Sequence, residues 1–130
     1  RKVSGSIPDP FASFLVHRGL MTLEIRLERM CANALALMDV FEGHPALEQI
    51  KFPGMGFVVG LTFATETKAE AFINDCPAIF ASTSFGGVHT SAERRARWGD
   101  DVPDGFVRLS VGCEPTDPLM HAIEASLAAL

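Results

Sequence analysis

The stretch DGFVRLSVGCE, Asp104–Glu114, has the composition of a buried β-strand with an arginine in its middle. Aromatic and β-branched residues flank Arg108 on both sides, which is typical of a packed strand. An unpaired guanidinium is costly to bury, so a strand tolerates one only where an anion or the solvent meets it. The sequence therefore predicts a strand that presents Arg108 to an anion.

Two kinds of anion fit this arginine. A carboxylate at the edge of the core, such as that of Glu114, would make Arg108 part of a structural ion pair. A substrate carboxylate would make it part of a binding site, because the guanidinium fork matches a carboxylate with two parallel hydrogen bonds. The residues of the strand alone leave both interpretations open.

A long helical segment precedes the strands. Asp9 is a good N-cap, Pro10 suits the first helical position, and Gly43 followed by Pro45 is typical of a helix end. Gly19 interrupts the segment, so we expect a bend or break in RGLMT, residues 18–22.

The second part of this segment carries an apolar stripe with steps of four and three residues, which predicts one buried helix face. The stripe consists of Leu23, Leu27, Met30, Ala34, Leu37 and Phe41. Arg26, Arg29 and Asn33 fall on another side of the helix. We expect the stripe to pack on the sheet of the same domain; packing on a further domain is the alternative.

Four stretches predict strands: ALEQIKF, GFVVGLTFA, AIFAST and FVRLSVG. TETKAEAFIND predicts a short helix capped by Thr65, and PTDPLMHAIEASLAAL predicts an amphipathic C-terminal helix. ERRARWGDDVPDG is interpreted as a polar loop or a short helix. This order of elements predicts an α+β fold, a two-layer arrangement of helices over a mostly antiparallel sheet of about four strands.

Composition narrows the functional classes. The 130 residues are 48% hydrophobic and 21% charged, with a net charge of −5, which argues against nucleic-acid binding. No apolar run is long enough for a membrane span, so we expect a cytoplasmic protein without a membrane partner. The three cysteines and four histidines are scattered, which predicts reduced thiols and no metal. Because residue 1 is not methionine, we expect the chain to be a piece of a longer protein.

Four stretches, in this order and spacing, resemble the C-terminal domain of the Cys/Met-metabolism enzymes that depend on pyridoxal phosphate. They are VHRGLMTLEIRLERMCANALAL, KFPGMG, STSFGGVHTSAERR and GFVRLSVGCE. The family patterns R-G-L-x-T-L-x-x-R and V-R-L-S-V-G-x-E are both matched. The family includes cystathionine γ-lyase, cystathionine γ-synthase and methionine γ-lyase, and the chain is most similar to its actinobacterial members. The resemblance implies that residues 1–130 form the C-terminal domain of a fold-type I enzyme.

The resemblance also implies roles for individual residues. Arg108 matches the arginine that binds the α-carboxylate of the amino-acid substrate, and Ser84 matches a serine near the Schiff-base lysine. Thr83 stands where many γ-lyases have a glutamate, which leaves the reaction preference open. Further residues are expected in the loop near the site: Phe85, Gly86, Gly87 and His89.

The expected activity is γ-elimination or γ-replacement on a sulfur amino acid, such as cystathionine, a homoserine ester, homocysteine or methionine. Lys2, Lys51 and Lys68 do not match the cofactor lysine of the family. The resemblance therefore implies that an N-terminal domain holds pyridoxal phosphate, that this chain alone is inactive, and that the whole protein is a homotetramer. The alternative is a free-standing, non-catalytic α/β domain that binds a ligand or a partner.

Overall fold

Helices and a five-stranded sheet make up the computed structural model of the protein, which describes residue 5 and residues 7–130. The helices are α1 (Pro10–Leu20), α2 (Leu23–Phe41), α3 (Glu66–Asp75) and α4 (Thr116–Ala128). The strands are β1 (Leu47–Lys51), β2 (Val58–Phe63), β3 (Phe80–Ala81), β4 (Ser91–Arg94) and β5 (Phe106–Ser110). The predicted α+β fold is confirmed.

The strand with the arginine lies in the middle of the sheet. The strand order is β1-β2-β5-β4-β3, and β5 pairs antiparallel with both β2 and β4. Only β3 and β4 run parallel to each other. Arg108 is the middle residue of β5, so it has a strand on each side.

Strand β4 was missed: Glu93 and Arg94 begin the stretch interpreted as a polar loop or a short helix, and Ser91 and Ala92 precede it. The short helix is confirmed as a 3₁₀ helix, Arg95–Trp98. Ser91, Ala92, Glu93 and Arg94 are all buried. Charged residues are rarely buried unless they are paired, so the composition of SAER argues against a central strand. Partners from other elements compensate the cost of burying these charges. Arg94, for example, forms ion pairs with Glu66 and Glu70 of α3.

The predicted break in the long helical segment is confirmed at residues 21 and 22. The carboxylate of Asp9 accepts hydrogen bonds from the backbone N–H groups of Phe11 and Ala12, which caps α1. Thr22 occupies the N-cap position of α2 without making a side-chain capping bond. Arg26 contributes instead, because its Nη2 donates to the carbonyl of Gly19 at 2.8 Å. An arginine side chain thus holds the two helices at their junction.

The sheet has one face covered by α-helices and one face without them, where Arg95 and Trp98 of a short 3₁₀ helix bond to Glu93. Val107, Leu109 and Ala92 point into the core formed with α2, α3 and α4. Because side chains alternate along a strand, Arg108 and its register partner Glu93 point to the opposite face. The core and the candidate site therefore lie on opposite sides of one sheet.

The predicted apolar stripe of α2 is only partly correct. Met30, Ala34, Leu37 and Phe41 are at most 1% exposed, as predicted. Leu23 and Leu27 are 38% and 37% exposed, so their assignment to the core was wrong. The first turns of α2 extend past the end of the sheet, where the described residues provide no cover.

Asn33 lies on a side of α2 other than the apolar stripe, as predicted, but its burial was not predicted. It is fully buried, and its amide donates to the carbonyls of Gly112 and Glu114 at 3.0 and 2.9 Å. Its carbonyl accepts a hydrogen bond from Thr116 Oγ1 at 2.8 Å. Asn33 thus fixes the turn between β5 and α4 against α2.

Helix α4 buries the face that its sequence predicts, with Leu119, Ile123 and Leu127 in the core. The helices found within residues 5 and 7–130 lack the combination of length and apolarity that crossing a bilayer requires.

Candidate functional site

Arg108 is held from two sides at the face of the sheet without α-helices. Its Nη2 donates to Oε1 of Glu93 and to the carbonyl of Thr83, at 2.5 Å in each case. Its side chain is 20% exposed. Two of the five guanidinium hydrogens are therefore engaged, and Nε and Nη1 have no partner among the described residues.

The partner of Arg108 is Glu93, not Glu114 as the structural alternative assumed. Glu93 and Arg108 lie opposite each other in the β4–β5 register, so their side chains meet on the same face. Glu114 instead accepts hydrogen bonds from the backbone N–H and the hydroxyl of Thr90. A local reading of the strand could not identify Glu93, because the two residues are 15 positions apart.

Glu93 is the most densely bonded carboxylate of the site. It is 3% exposed, and Oε1 also accepts from Arg95 Nη1 at 2.6 Å. Oε2 accepts from Trp98 Nε1 at 2.9 Å. The hydrogen bond to Glu93, followed by that to Asp100, raises the pKa of Arg95 above its ordinary value. Arg95, Asp100 and Trp98 are therefore an ordered part of the site.

The loop that carries the predicted site residues folds over Arg108. The aromatic ring of Phe85 lies on the guanidinium, with 4.8 Å between Cζ and the ring centre. The backbone N–H of Gly86 donates to Ser110 Oγ at 2.9 Å, and Ser91 Oγ donates to the carbonyl of Ser84 at 3.2 Å. These bonds attach the loop to β5 and β4 at the register pair Ser91–Ser110, two residues along from the pair Glu93–Arg108.

The structure brings some predicted site residues to Arg108 and leaves others apart. Thr83 touches it through its backbone carbonyl, Phe85 touches it through its ring, and Ser84 lies between them in an exposed position. Gly86 has a φ of 77°, which favours glycine. A Cβ added at Gly87 would meet no atom within 4 Å. His89 packs against Phe80 of β3, with ring centres 5.2 Å apart. His89 is thus directed toward the sheet edge.

The end of β5 requires glycine at position 112. A Cβ there would lie 2.5 Å from the carbonyl oxygen of Val88 and 2.6 Å from Glu114 Oε2. The N–H of Gly112 donates to Thr90 Oγ1 at 2.9 Å. This close approach joins the far end of the loop to the strand that carries Arg108.

Among the described residues no cysteine or lysine bonds to the guanidinium, although Lys51 shares its face of the sheet, because Lys51 and Arg108 both lie opposite Gly60. Burial raises the pKa of the Cys113 thiol, and the charge of Glu114 adds to that effect. Lys51 Nζ stands over the ring of Phe106, 5.7 Å from its centre, and Lys68 lies on α3 at the helix-covered face. Lys2 falls outside the described residues. Across the part of the chain that is described, no group of three potential metal ligands is present.

The arrangement fits an anionic group with planar oxygen atoms. It offers a partly exposed guanidinium, an aromatic ring beside it, and backbone fixed on both sides. Among the described residues no lysine bonds to Arg108: Lys51 lies on the same face of the sheet but two strands away, with its Nζ over Phe106, and Lys68 lies on α3. A carboxylate is such an anionic group, and Nε and Nη1 of Arg108 still have hydrogens to donate.

Comparison with known proteins gives a consistent result. The sequence profile of the family described as "Cys/Met metabolism PLP-dependent enzyme" matches residues 1–128. The chain belongs to this family. PLP is pyridoxal 5′-phosphate, so the chain comes from a group of enzymes that use this cofactor.

Individual members of the family show how much of them the chain covers. A Streptomyces coelicolor protein assigned to the cystathionine γ-lyases is 36% identical over 92% of this chain and 35% of its own length. Cystathionine β-lyase of Coxiella burnetii is 32% identical over 95% of the chain and 39% of its length. The solved structure of metB from Corynebacterium glutamicum has a TM-score of 0.89 at 27% identity, covering 96% of this chain and 39% of that one. The chain spans little more than a third of the relatives that it matches.

Proposed function

We propose that this chain forms the substrate-carboxylate side of the active site of a PLP-dependent enzyme that eliminates or replaces the sulfur-bearing substituent of an amino acid. The observation that carries the proposal is Arg108, a guanidinium with three hydrogens still to donate at the face of the sheet without α-helices. The relatives include a γ-lyase and a β-lyase, so the site of cleavage is a finer question. We favour the γ-carbon, as in the family that the sequence resembles.

The proposed role of Arg108 is to bind the α-carboxylate and fix its orientation. A charge-assisted bond to a guanidinium is about twice as strong as a neutral hydrogen bond, and two such bonds stop rotation of the carboxylate. The cofactor of the family accepts electrons from the bonds at the α-carbon of the substrate. An oriented carboxylate places those bonds in a constant geometry, which contributes to rate as well as to affinity.

Ser84 and Thr83 are proposed to border the same substrate, since their loop adjoins Arg108 through the Thr83 carbonyl. The lysine that holds the cofactor, and the cofactor site itself, would lie in a preceding domain. Because the chain is about a third of its relatives in length, that domain is part of the proposal. A homotetrameric assembly is proposed from the family resemblance alone. Substrates would be amino acids of the cystathionine, homoserine-ester or methionine class.

The test is Arg108→Ala in the whole enzyme, meaning the polypeptide that joins these 130 residues to the part its relatives have in addition. We expect kcat/KM for an amino-acid thioether to fall about 100-fold, the effect of losing two charge-assisted bonds of roughly 1.5 kcal/mol each. Arg108→Lys should recover only part of this, because an ammonium supplies charge without the fork.

Arg97→Ala is the matched control. Arg97 is 46% exposed and binds Glu70 of α3 at 3.0 Å, so the variant removes an arginine without touching Arg108. Its kinetics should remain those of the wild type. If folded Arg108→Ala enzyme kept normal kinetics and lost only thermal stability, Arg108 would be a structural ion-pair residue and the proposal would be wrong.

A further inference from the structure

We propose that Glu93 is the positioning residue of the carboxylate site: it anchors Nη2 of Arg108 and thereby decides which guanidinium hydrogens a substrate meets. This inference rests on the proposed function of Arg108. Glu93 itself would not touch the substrate, since it is 3% exposed and lies behind the guanidinium in the neighbouring strand.

The first support is the rigidity of the Glu93 carboxylate. Three donors hold it: Arg108 Nη2 at 2.5 Å, Arg95 Nη1 at 2.6 Å and Trp98 Nε1 at 2.9 Å. They come from β5 and from the turn that follows β4, so their geometry is set by backbone elements on two sides. Because Arg95 and Trp98 hold the Glu93 carboxylate, it cannot move together with the guanidinium. Glu93 therefore fixes the position of Arg108 Nη2.

The second support is the geometry of the guanidinium. Nη2 belongs to both of its parallel forks, because one fork consists of Nε and Nη2 and the other of Nη1 and Nη2. Its two hydrogens go to Glu93 and to the Thr83 carbonyl. A substrate carboxylate that binds with two parallel bonds must therefore displace one of these acceptors.

The two acceptors differ in how easily they can be displaced. The Thr83 carbonyl belongs to an exposed loop residue, whereas Glu93 is buried and triply bonded. Removing a buried carboxylate from its donors costs more than exposing a backbone carbonyl to water. The Thr83 carbonyl consequently occupies the place of a substrate oxygen, and Glu93 remains in position.

The charges around Arg108 are compatible with a substrate carboxylate beside Glu93. Glu93 would repel a substrate carboxylate if its charge were uncompensated, but Arg95 binds the same oxygen as Arg108. These three buried or half-buried groups carry one net positive charge. Asp100, the second partner of Arg95, has a side chain that is 40% exposed, so solvent screens its charge. A positive charge thus remains at Arg108 for the substrate.

The experiment compares the binding of glycine and glycinamide to the whole enzyme, by the spectral change of the cofactor or by competitive inhibition. Wild-type enzyme should prefer the carboxylate. Glu93→Gln should reduce that preference about tenfold, the size of one weakened charge-assisted bond. With an amino-acid thioether as substrate, KM should rise by a larger factor than kcat falls. Binding of glycinamide, which lacks the carboxylate, should change little.

Glu70→Gln is the matched control, because Glu70 also accepts from two arginines, Arg94 and Arg97, but on the helix-covered side. It should lower stability and leave the preference for glycine unchanged. Trp98→Phe provides a milder second variant, since it removes only the donor to Oε2 from a side chain that is 59% exposed. We expect it to reduce the preference about two- to threefold.

The outcomes separate this inference from the proposed function. If Arg108→Ala retains the preference for glycine, the proposed function is wrong. If Arg108→Ala abolishes the preference but folded Glu93→Gln and Trp98→Phe keep it in full, only the role of Glu93 is wrong. Should Glu93→Gln fail to fold, an unchanged preference in Trp98→Phe would by itself contradict the inference.

Discussion

At the scale of the residue, Thr90 connects the loop over Arg108 to the end of β5. It is fully buried; its N–H and hydroxyl donate to the two oxygens of Glu114, and its hydroxyl accepts from the N–H of Gly112. The family resemblance placed its neighbour His89 in the loop near the site. Thr90 instead serves the fold, by closing the loop through one hydroxyl and one carboxylate.

Thr90→Val tests this contact, because valine has the same shape and no hydroxyl. The change leaves Gly112 N–H and one oxygen of Glu114 without their partner, so it should lower the free energy of unfolding by about 1–3 kcal/mol. The urea midpoint of the 130-residue chain is the measurement. Thr67→Val, at an exposed position of α3, should change it by less than about 0.5 kcal/mol. Equal midpoints for the two variants would mean that the Thr90 hydroxyl does not close the loop.

At the scale of the element, the apolar stripe of α2 is buried along one part of the helix and exposed along the other. From Met30 onward it covers the sheet, whereas Leu23 and Leu27 stay exposed on its first turns. The same periodic pattern runs through both parts. A periodic stripe predicts which side of a helix is apolar, but the extent of the surface beneath it decides how many turns are buried.

Leu37→Ala and Leu27→Ala distinguish these two parts. Leu37 is 0% exposed and Leu27 is 37% exposed, so the leucine in the core should cost about 2–5 kcal/mol on truncation and the other well under half of that. Chemical denaturation of both variants of the 130-residue chain measures the difference. A larger effect of Leu27→Ala would indicate that the first turns of α2 are covered in solution.

At the scale of the whole molecule, exposed apolar side chains are concentrated on α1 and the start of α2. Phe11, Phe14, Val16 and Ile25 are each more than 60% exposed. The chain also spans only 35% of the Streptomyces relative. Both observations bear on the activity that we expect of the 130-residue chain alone.

The 130-residue chain alone should have no lyase activity with PLP and an amino-acid thioether. Lys51 lies on β1, two strands away from Arg108, with its Nζ over Phe106, and Lys68 lies on α3, so neither contacts Arg108 or Phe85. Borohydride reduction after mixing with PLP, followed by peptide mapping, should reveal only weak and scattered labelling. Turnover together with stoichiometric labelling of one lysine would contradict this expectation.

Much of the architecture followed from the sequence because it is encoded locally. The caps at Asp9 and Thr65 and the buried face of α4 depend on neighbours within a few residues. The composition around Arg108 likewise predicted a packed strand with an anion as partner. These signals survive without knowledge of the tertiary structure, since backbone hydrogen bonding and side-chain periodicity act over short distances.

Tertiary structure decided which anion meets Arg108. Glu93 is buried in a strand whose letters, SAER, favour a surface loop, and only pairing with β5 brings its carboxylate to the guanidinium. The burial of Asn33 and the exposure of Leu27 were decided in the same way. Burial of a polar group is favourable only when specific partners compensate its desolvation, and those partners lie in distant parts of the chain. Sequence alone therefore determined the α-helices, the other strands and the strand position of Arg108, whereas the packing of β4 against β5 determined the site around it.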